Sequence, residues 1–372
     1  MEIHEIPEQL SLIKHSKNLW SSFTYSKCKD AYGYDKNGLK RYALIIQLQY
    51  DQTVTEADKE FLHYLMSQEI EMHKSHPYQG FHESMDIVAY LLAKFKDVNH
   101  IRLFEQAKLS NFDTYYGFDT EYIISAGIEE AITYIEENDL YRISSFFQDK
   151  KEELETMYTA EHMERWFQAK ERNYPANLED ESLITLMDRA IDFSNMEQAR
   201  GLLEKLEEQL GSDKRNNSLL YHRAKELGEY DKALHYLTQE IPEQEDSFDK
   251  VFLWLKIAEI HLLKQDWVQA FASVKQCEPE LKLFSSWRSA GLGTSLSETL
   301  LDISLMAKDS DESLAREAYC WADQMLKSTN NYSSNVLRKA HQCAKLLQLK
   351  QDKRLYSRKV AIEARRINRM FR

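Results

Sequence analysis

Leu227-Gly228-Glu229-Tyr230-Asp231-Lys232-Ala233-Leu234 returns 37 residues later as Lys264-Gln265-Asp266-Trp267-Val268-Gln269-Ala270-Phe271, and Pro242 and Pro279 keep the same offset. One unit earlier, Ser194-Asn195-Met196-Glu197-Gln198-Ala199 places its alanine 34 residues before Ala233. A self-similarity of 34 to 37 residues is the mark of a chain built from repeated supersecondary units. In each unit an apolar or aromatic residue stands three positions before a small one. An alanine there lets two antiparallel helix axes approach closely, and Gly228 can take the left-handed conformation that ends the first helix.

The composition points the same way. The chain has 372 residues with 10 Gly and 5 Pro, about 4% together, where average usage gives roughly 12%. Turn-rich strand architectures need these residues, and helix interiors exclude them, so the chain is expected to be all-α. With 21 Tyr, 16 Phe and 6 Trp it carries too much aromatic surface for a disordered polymer. A single core seldom grows beyond about 250–300 residues, so two domains or an elongated stack are expected. The formal net charge is -13, which opposes general adhesion to nucleic acid or anionic membrane. From Lys350 to Arg372, nine basic residues face Asp352 and Glu363, a net of +7, so the remainder carries -13 - 7 = -20. Cys28, Cys277, Cys320 and Cys343 form no paired spacing and read as reduced thiols. Glu2, Glu5 and Glu8 stand where a signal peptide is basic, and the longest apolar run, Ile87 to Ala93, is far short of a membrane span. A cytoplasmic protein with no membrane partner is expected.

Thr55-Glu56-Ala57-Asp58 has the form of a capping box, which predicts a helix ending near His76-Pro77. Further helices are expected at Ser84–Phe95, Asn99–Leu109, Gly127–Glu137, Leu140–Phe147 and Lys151–Arg172. The polar stretch Glu171 to Asp180, with Pro175, predicts a linker between a segment over 1–172 and a repeat region over 181–372. After Pro279 a Gly/Ser-rich stretch, Ser285 to Ser297, interrupts the period before helices from Leu300 to Arg369 continue it.

From about Leu183 to Glu280 the chain resembles tetratricopeptide repeats. Trp254, Ile257, Ala258, Trp267 and Ala270 stand in that family's spacing, as do Leu220, Gly228, Tyr230 and Ala233. The repeats are degenerate: His261 replaces an aromatic, Gln265 replaces Gly, and Met196 replaces the aromatic before Ala199. The resemblance implies an α-solenoid, a right-handed superhelix whose concave face holds a protein or peptide. In the N-terminal half, Asn37-Gly38-Leu39-Lys40-Arg41-Tyr42-Ala43-Leu44 resembles the start of the second helix of a HEAT-type repeat, and any helix after a Gly turn accounts for the same residues.

Catalytic signatures are lacking. Gly291 and Gly293 have Leu296 in place of the third glycine of a dinucleotide loop, no P-loop occurs, and Glu60-Phe61-Leu62-His63 is one half of a di-iron motif. His73, His76 and His82, near His63 and Glu69, are the closest approach to a metal cluster, and a helix end followed by His76-Pro77 explains them better. No cofactor, metal or catalytic residue is expected. Phe112-Asp-Thr-Tyr115-Tyr116-Gly-Phe118-Asp119-Thr-Glu121-Tyr122 repeats Phe-Asp-Thr six residues apart. One reading has Asp113 or Asp119 capping a helix while Phe112 and Phe118 point inward. The other leaves Tyr115, Tyr116 and Tyr122 exposed beside Asp119 and Glu121, a surface for a basic partner, within a span from Asp119 to Arg165 of 13 acidic and 4 basic residues. A second candidate surface is the concave face with His222, Lys225, Lys256 and Glu259 on the first helices of the repeats. The expected function is non-enzymatic binding of a protein or peptide, as an adaptor, regulator or antitoxin-like protein. The alternatives are an enzyme site assembled from His63, His73, His76, Glu69 and Glu83, and a nucleic-acid-associated protein led by Arg354 to Arg372.

Overall fold

The computed structural model describes residues 3–29, 34–75, 80–138, 140, 154, 156–283, 287, 291–328 and 332–370, the side chains of 368 and 370 apart. Among these the chain is helical, and its sole strand-like feature is one antiparallel bridge, Lys27 to Asp35. Two compact units divide it, Met1–Ser194 and Asn195–Arg372.

The N-terminal unit contains α1 (Ile6–His15), α2 (Gly38–Tyr50), α3 (Lys59–Ser75), α4 (Glu83–Ala93), α5 (Ile101–Lys108), α6 (Phe112–Gly117), α7 (Ile128–Glu137), α8 (Ala160–Asn173) and α9 (Leu183–Asp192). The Thr55 capping box forms: the Thr55 N–H donates to Asp58 Oδ2 at 2.8 Å, and a single 3-10 turn leads into α3. In α4 every residue from Ser84 to Ala93 is buried, and the helix packs against both α2 and α3. The Ile87–Ala93 run is therefore apolar on all sides because the helix is covered on all sides. α8 begins at Ala160 rather than near Lys151, because Thr159 Oγ1 caps it by accepting from the His162 N–H at 3.2 Å. The helix expected at 140–147 lies, beyond Leu140, outside the described residues.

The stretch read as a linker is part of this unit. The Tyr174 hydroxyl donates to Asp86 Oδ2 at 2.5 Å, and Gln49 Nε2 donates to the Pro175 carbonyl at 2.9 Å. Glu181 accepts from Gln49 and from Arg189 at 2.7 and 2.8 Å. These bonds draw residues 174–189 onto α2 and α4, so the division of the chain falls after Ser194.

The C-terminal unit contains α10 (Met196–Leu210), α11 (Asn217–Glu226), α12 (Tyr230–Glu240), α13 (Ser247–Leu263), α14 (Trp267–Lys275), α15 (Cys277–Leu283), α16 (Gly291–Ala307), α17 (Glu312–Ser328), α18 (Ser334–Leu346) and α19 (Lys350–Met370). α11 pairs with α12, α13 with α14, α16 with α17 and α18 with α19, and α12, α13 and α16 carry the packing from one pair to the next. Ala199, Ala233 and Ala270 are fully buried, each three residues into its helix, as the sequence predicts. Ala315 holds the same place in α17 with no exposure, a further unit hidden by a 45-residue interval that also accommodates α15. In α19 the equivalent residue is Lys353, which is exposed, so that position is not buried at a helix crossing. Enlarging any of these alanines to leucine forces the helix axes apart. Ala233→Leu, Ala270→Leu and Ala315→Leu are each expected to cost about 1–3 kcal/mol in denaturant unfolding. Parental stability in all three would place the crossing elsewhere.

Ser194, Gly228, Gln265 and Gln348 each have positive φ (58°, 74°, 60° and 58°), and each lies two residues before the following helix. At three of the turns the next N–H reaches back to a carbonyl five residues earlier at 2.8 Å: Glu229 to Ala224, Asp266 to His261, and Leu349 to Ala344. That bond is the signature of a left-handed helix terminus. Only Gly228 takes it without a Cβ penalty. Gln265→Gly is expected to raise stability by up to about 1 kcal/mol, the left-handed strain of a non-glycine residue less glycine's extra unfolded-state entropy. A drop in the unfolding midpoint would contradict this.

Candidate functional site

The sequence offers two candidate binding surfaces, and a group of histidines for which an ordinary helix end is the expected explanation. The aromatic stretch divides residue by residue. α6 is capped by Asn111, whose Oδ1 accepts from the Thr114 N–H at 2.8 Å while Thr114 Oγ1 accepts from the Asn111 N–H at 2.9 Å. Asp113 and Asp119 therefore do not supply the expected cap, and the side chain of Asp119 accepts no bond from the turn it precedes. Phe112, Tyr115 and Tyr116 stay in solvent at 62%, 49% and 72% exposure. Their rings touch in sequence, Phe112 to Tyr116 at 4.9 Å and Tyr115 to Tyr116 at 5.1 Å between centroids. They form an aromatic plate on the N-terminal unit.

The acidic half of the stretch faces inward. Tyr122 is fully buried, which corrects its expected exposure: its hydroxyl donates to Asp86 Oδ1 at 2.5 Å, and its ring packs on Phe118 and Trp166 at 4.7 and 4.9 Å. Burial first, and Asp86 next, push the Tyr122 hydroxyl well above its ordinary pKa. Asp119 accepts from Trp166 Nε1 at 2.8 Å and pairs with Lys170 at 3.0 Å, and Glu121 meets His162 Nε2 at 2.9 Å. These carboxylates are tied to α8. Phe118 is buried and Phe112 is exposed, so the twice-occurring Phe-Asp-Thr serves two different environments.

On the C-terminal unit, α11 carries His222 and Lys225, and α13 carries Lys256 and Glu259. Lys225 Nζ donates to Glu259 Oε1 at 2.8 Å, joining the two helices. Lys256 Nζ lies over the rings of Tyr221 and Phe252 at 5.0 and 4.7 Å. Burial, then Lys256 and Lys225, depress the His222 pKa. The structure thus brings all four residues to one surface and adds Phe248 and Phe252, 40% and 48% exposed. Their spacing of four to each other and to Lys256 is the signal that could have found them.

Of the histidine cluster, His73 and His82 stay beside Glu69, while His63 and Glu83 are engaged elsewhere. His73 Nδ1 lies 2.8 Å from the Glu69 carbonyl, and its Nε2 accepts from the His82 N–H at 3.0 Å. Burial lowers the His73 pKa. Glu69 accepts from Arg41 Nε and from Ser84 Oγ, both at 2.5 Å. Burial opposes ionisation of Glu69, but Arg41, His73 and His82 outweigh it and hold its pKa below the ordinary value. His63 instead packs edge-on to His100, with centroids 4.9 Å apart. Glu83 pairs with Arg189 at 3.0 Å. His76 lies outside the described residues. Among the described residues no group of three or more His, Cys, Asp or Glu is arranged to hold a metal ion. Cys277 and Cys343 are buried, and burial raises both thiols to about 12, which suits packing rather than nucleophilic attack.

Along α19, Lys350, Arg354, Arg358, Arg365 and Arg369 follow at intervals of four, four, seven and four, which places them on one face. None has a carboxylate partner among the described residues, whereas Arg366 pairs with Glu363 and Lys327 with Asp352. Among the described residues no helix is long and apolar enough to cross a membrane.

No family model matches the chain, and neither a curated protein nor a solved structure matches it.

Proposed function

We propose that the chain is a non-enzymatic, tetratricopeptide-like α-solenoid that binds a protein or peptide along the first helices of its C-terminal repeats. The observation carrying this reading is the unburied surface shared by α11 and α13, where Phe252 stands half exposed beside Lys256, the Lys225–Glu259 pair and His222. Half-exposed aromatics set among paired charges are the composition of an interface centre: the ring supplies apolar area, and the charges fix register. Helix pairs that repeat the same turn and the same buried alanine present such residues in a row, and this geometry suits an extended or helical segment. The aromatic plate at Phe112, Tyr115 and Tyr116 is a second surface for the same or another partner. With Asp119 and Glu121 engaged by α8, recognition there rests on its rings rather than on attraction to a basic partner.

The test is capture from native lysate with the parent chain, Phe252→Ala, and Tyr115→Ala/Tyr116→Ala, followed by identification and titration of the captured protein. Truncating the central aromatic is expected to weaken binding by about 1–3 kcal/mol, chiefly through faster dissociation. A partner that binds Phe252→Ala as tightly as the parent would remove the repeat face, and retention by the double tyrosine variant as well would remove both surfaces.

A further inference from the structure

Arg41, on α2, has no solvent exposure, yet its guanidinium is incompletely engaged. Nε donates to Glu69 Oε1 at 2.5 Å, and Nη1 donates to the Phe23 carbonyl at 3.2 Å while lying 2.8 Å from Asp35 Oδ2. Nη2, which carries two further N–H donors, has no hydrogen-bond partner. A buried donor on a charged group lacking an acceptor is a costly arrangement, and it marks a place where an acceptor is wanted. Arg41 lines a cavity of about 310 Å³ whose wall also includes Leu39, Tyr42, Glu69, Met72 and His82. That size lies at the small end of ligand pockets, and a wall in which Leu39, Met72 and the Tyr42 ring stand beside a few polar groups, here Asp35, Glu69, His82 and Ser84, is their usual make-up.

The charges select the acceptor. The side chains of Asp35 and Glu69, 4% and 1% exposed, both face Arg41, so two carboxylates already oppose one guanidinium. A carboxylate or phosphate entering the cavity would meet net repulsion, whereas a neutral carbonyl can accept from Nη2 without adding charge. Leu39, Met72 and the Tyr42 ring then receive an apolar group beside it. We propose that this cavity binds a neutral amide bearing an apolar side group, its carbonyl oxygen accepting from Arg41 Nη2. The amide is either that of a small molecule or a peptide unit within an apolar segment. This site lies in the N-terminal unit, and its existence does not depend on the repeat surface.

The probes are N-acetyl-L-leucinamide, its charged counterpart N-acetyl-L-leucine, and a capped pentapeptide with leucine at its centre, each titrated against the full chain by ligand-observed saturation-transfer NMR. The neutral amide is expected to saturate in the millimolar range and the carboxylate to bind at least about tenfold more weakly. Binding of the pentapeptide as tightly as the amide identifies a peptide segment as the source, and exclusion of the pentapeptide identifies a small molecule. Met72→Trp fills the cavity without touching the partners of Arg41, and it is expected to lower affinity at least about tenfold with helical circular dichroism unchanged. Should that variant misfold, Leu39→Trp, at a position already 49% exposed, narrows the mouth to the same end. Equal or tighter binding of the carboxylate, no saturable binding of any probe, or parental affinity in a folded cavity-filling variant overturns the proposal.

Discussion

Replacing Asp86 with alanine is expected to destabilise the N-terminal unit by about 3–5 kcal/mol. Asp86 is buried in α4 and is the meeting point of three donors: Lys170 Nζ at 2.9 and 2.7 Å, the Tyr122 hydroxyl at 2.5 Å and the Tyr174 hydroxyl at 2.5 Å. Its removal leaves the Lys170 ammonium, which is 7% exposed, with Asp119 at 3.0 Å as its remaining carboxylate, takes the acceptor of the half-buried Tyr174 hydroxyl, and leaves the buried Tyr122 hydroxyl only the residue-86 carbonyl at 3.2 Å. The size of the loss comes from the groups left behind rather than from the intrinsic strength of the pair. Asp86→Leu combined with Lys170→Met takes away both charges and is therefore expected to cost less than Asp86→Ala alone. Urea unfolding of the three chains decides it. Unfolding of Asp86→Ala within about 0.5 kcal/mol of the parent would show that the network contributes nothing that water cannot replace.

The same network explains what the sequence concealed. The register of the helix pairs is written in residues whose meaning is local: a residue of positive φ, glycine or not, two residues before a helix, and an alanine three residues into it. Such signals survive the degeneration of every other position, and Gln265 and Gln348 adopt the left-handed turn although neither is glycine. Ala315 falls outside the 34-to-37-residue spacing because α15 is inserted before it, although its environment is the same. Charged residues carry no such local signature. Asp86, Arg41 and Arg189 would each read as solvated, because their partners Lys170, Glu69 and Glu181 lie 84, 28 and 8 residues away. For the same reason the polar run from Glu171 to Asp180 resembles a linker, although Tyr174 and Pro175 bond inward to α4 and α2. At the candidate surfaces, spacing located Lys225, Lys256 and Glu259 on one face, but it could not tell the exposed Tyr116 from the buried Tyr122, since both follow an aromatic and an acid.

Acid is expected to unfold the N-terminal unit in two successive windows, the first governed by His100. This imidazole is 1% exposed and lies among Phe95, Phe104 and the edge of His63, with Asp97 3.9 Å away on the same turn. Burial, reinforced by His63, lowers its pKa to about 4 even though Asp97 pulls the other way, and burial lowers that of His63 too. An unfolded chain takes up a proton at a histidine pKa near 6.5, and the folded unit refuses it until about pH 4. Stability contributed by neutral His100 is therefore fully present above pH 6.5 and is lost as pH falls towards 4, to a total of about 3 kcal/mol. Asp97 acts below that window. Burial works against its ionisation, but Lys59 and the Asn99 N–H hold its pKa to about 2, so its contribution is lost as pH falls from near 4 towards 2. Urea midpoints at pH 7, 5.5 and 4.5 follow the upper window, and midpoints at pH 3.5 and 2.5 follow the lower one. His100→Phe keeps an aromatic ring in the same packing and removes the titration, so its stability is expected to fall by about 3 kcal/mol less than the parent's across the upper window. Equal losses in parent and variant would assign the acid sensitivity of the upper window to other groups, with His63 and His73, whose pKa values burial also lowers, the next to be tested.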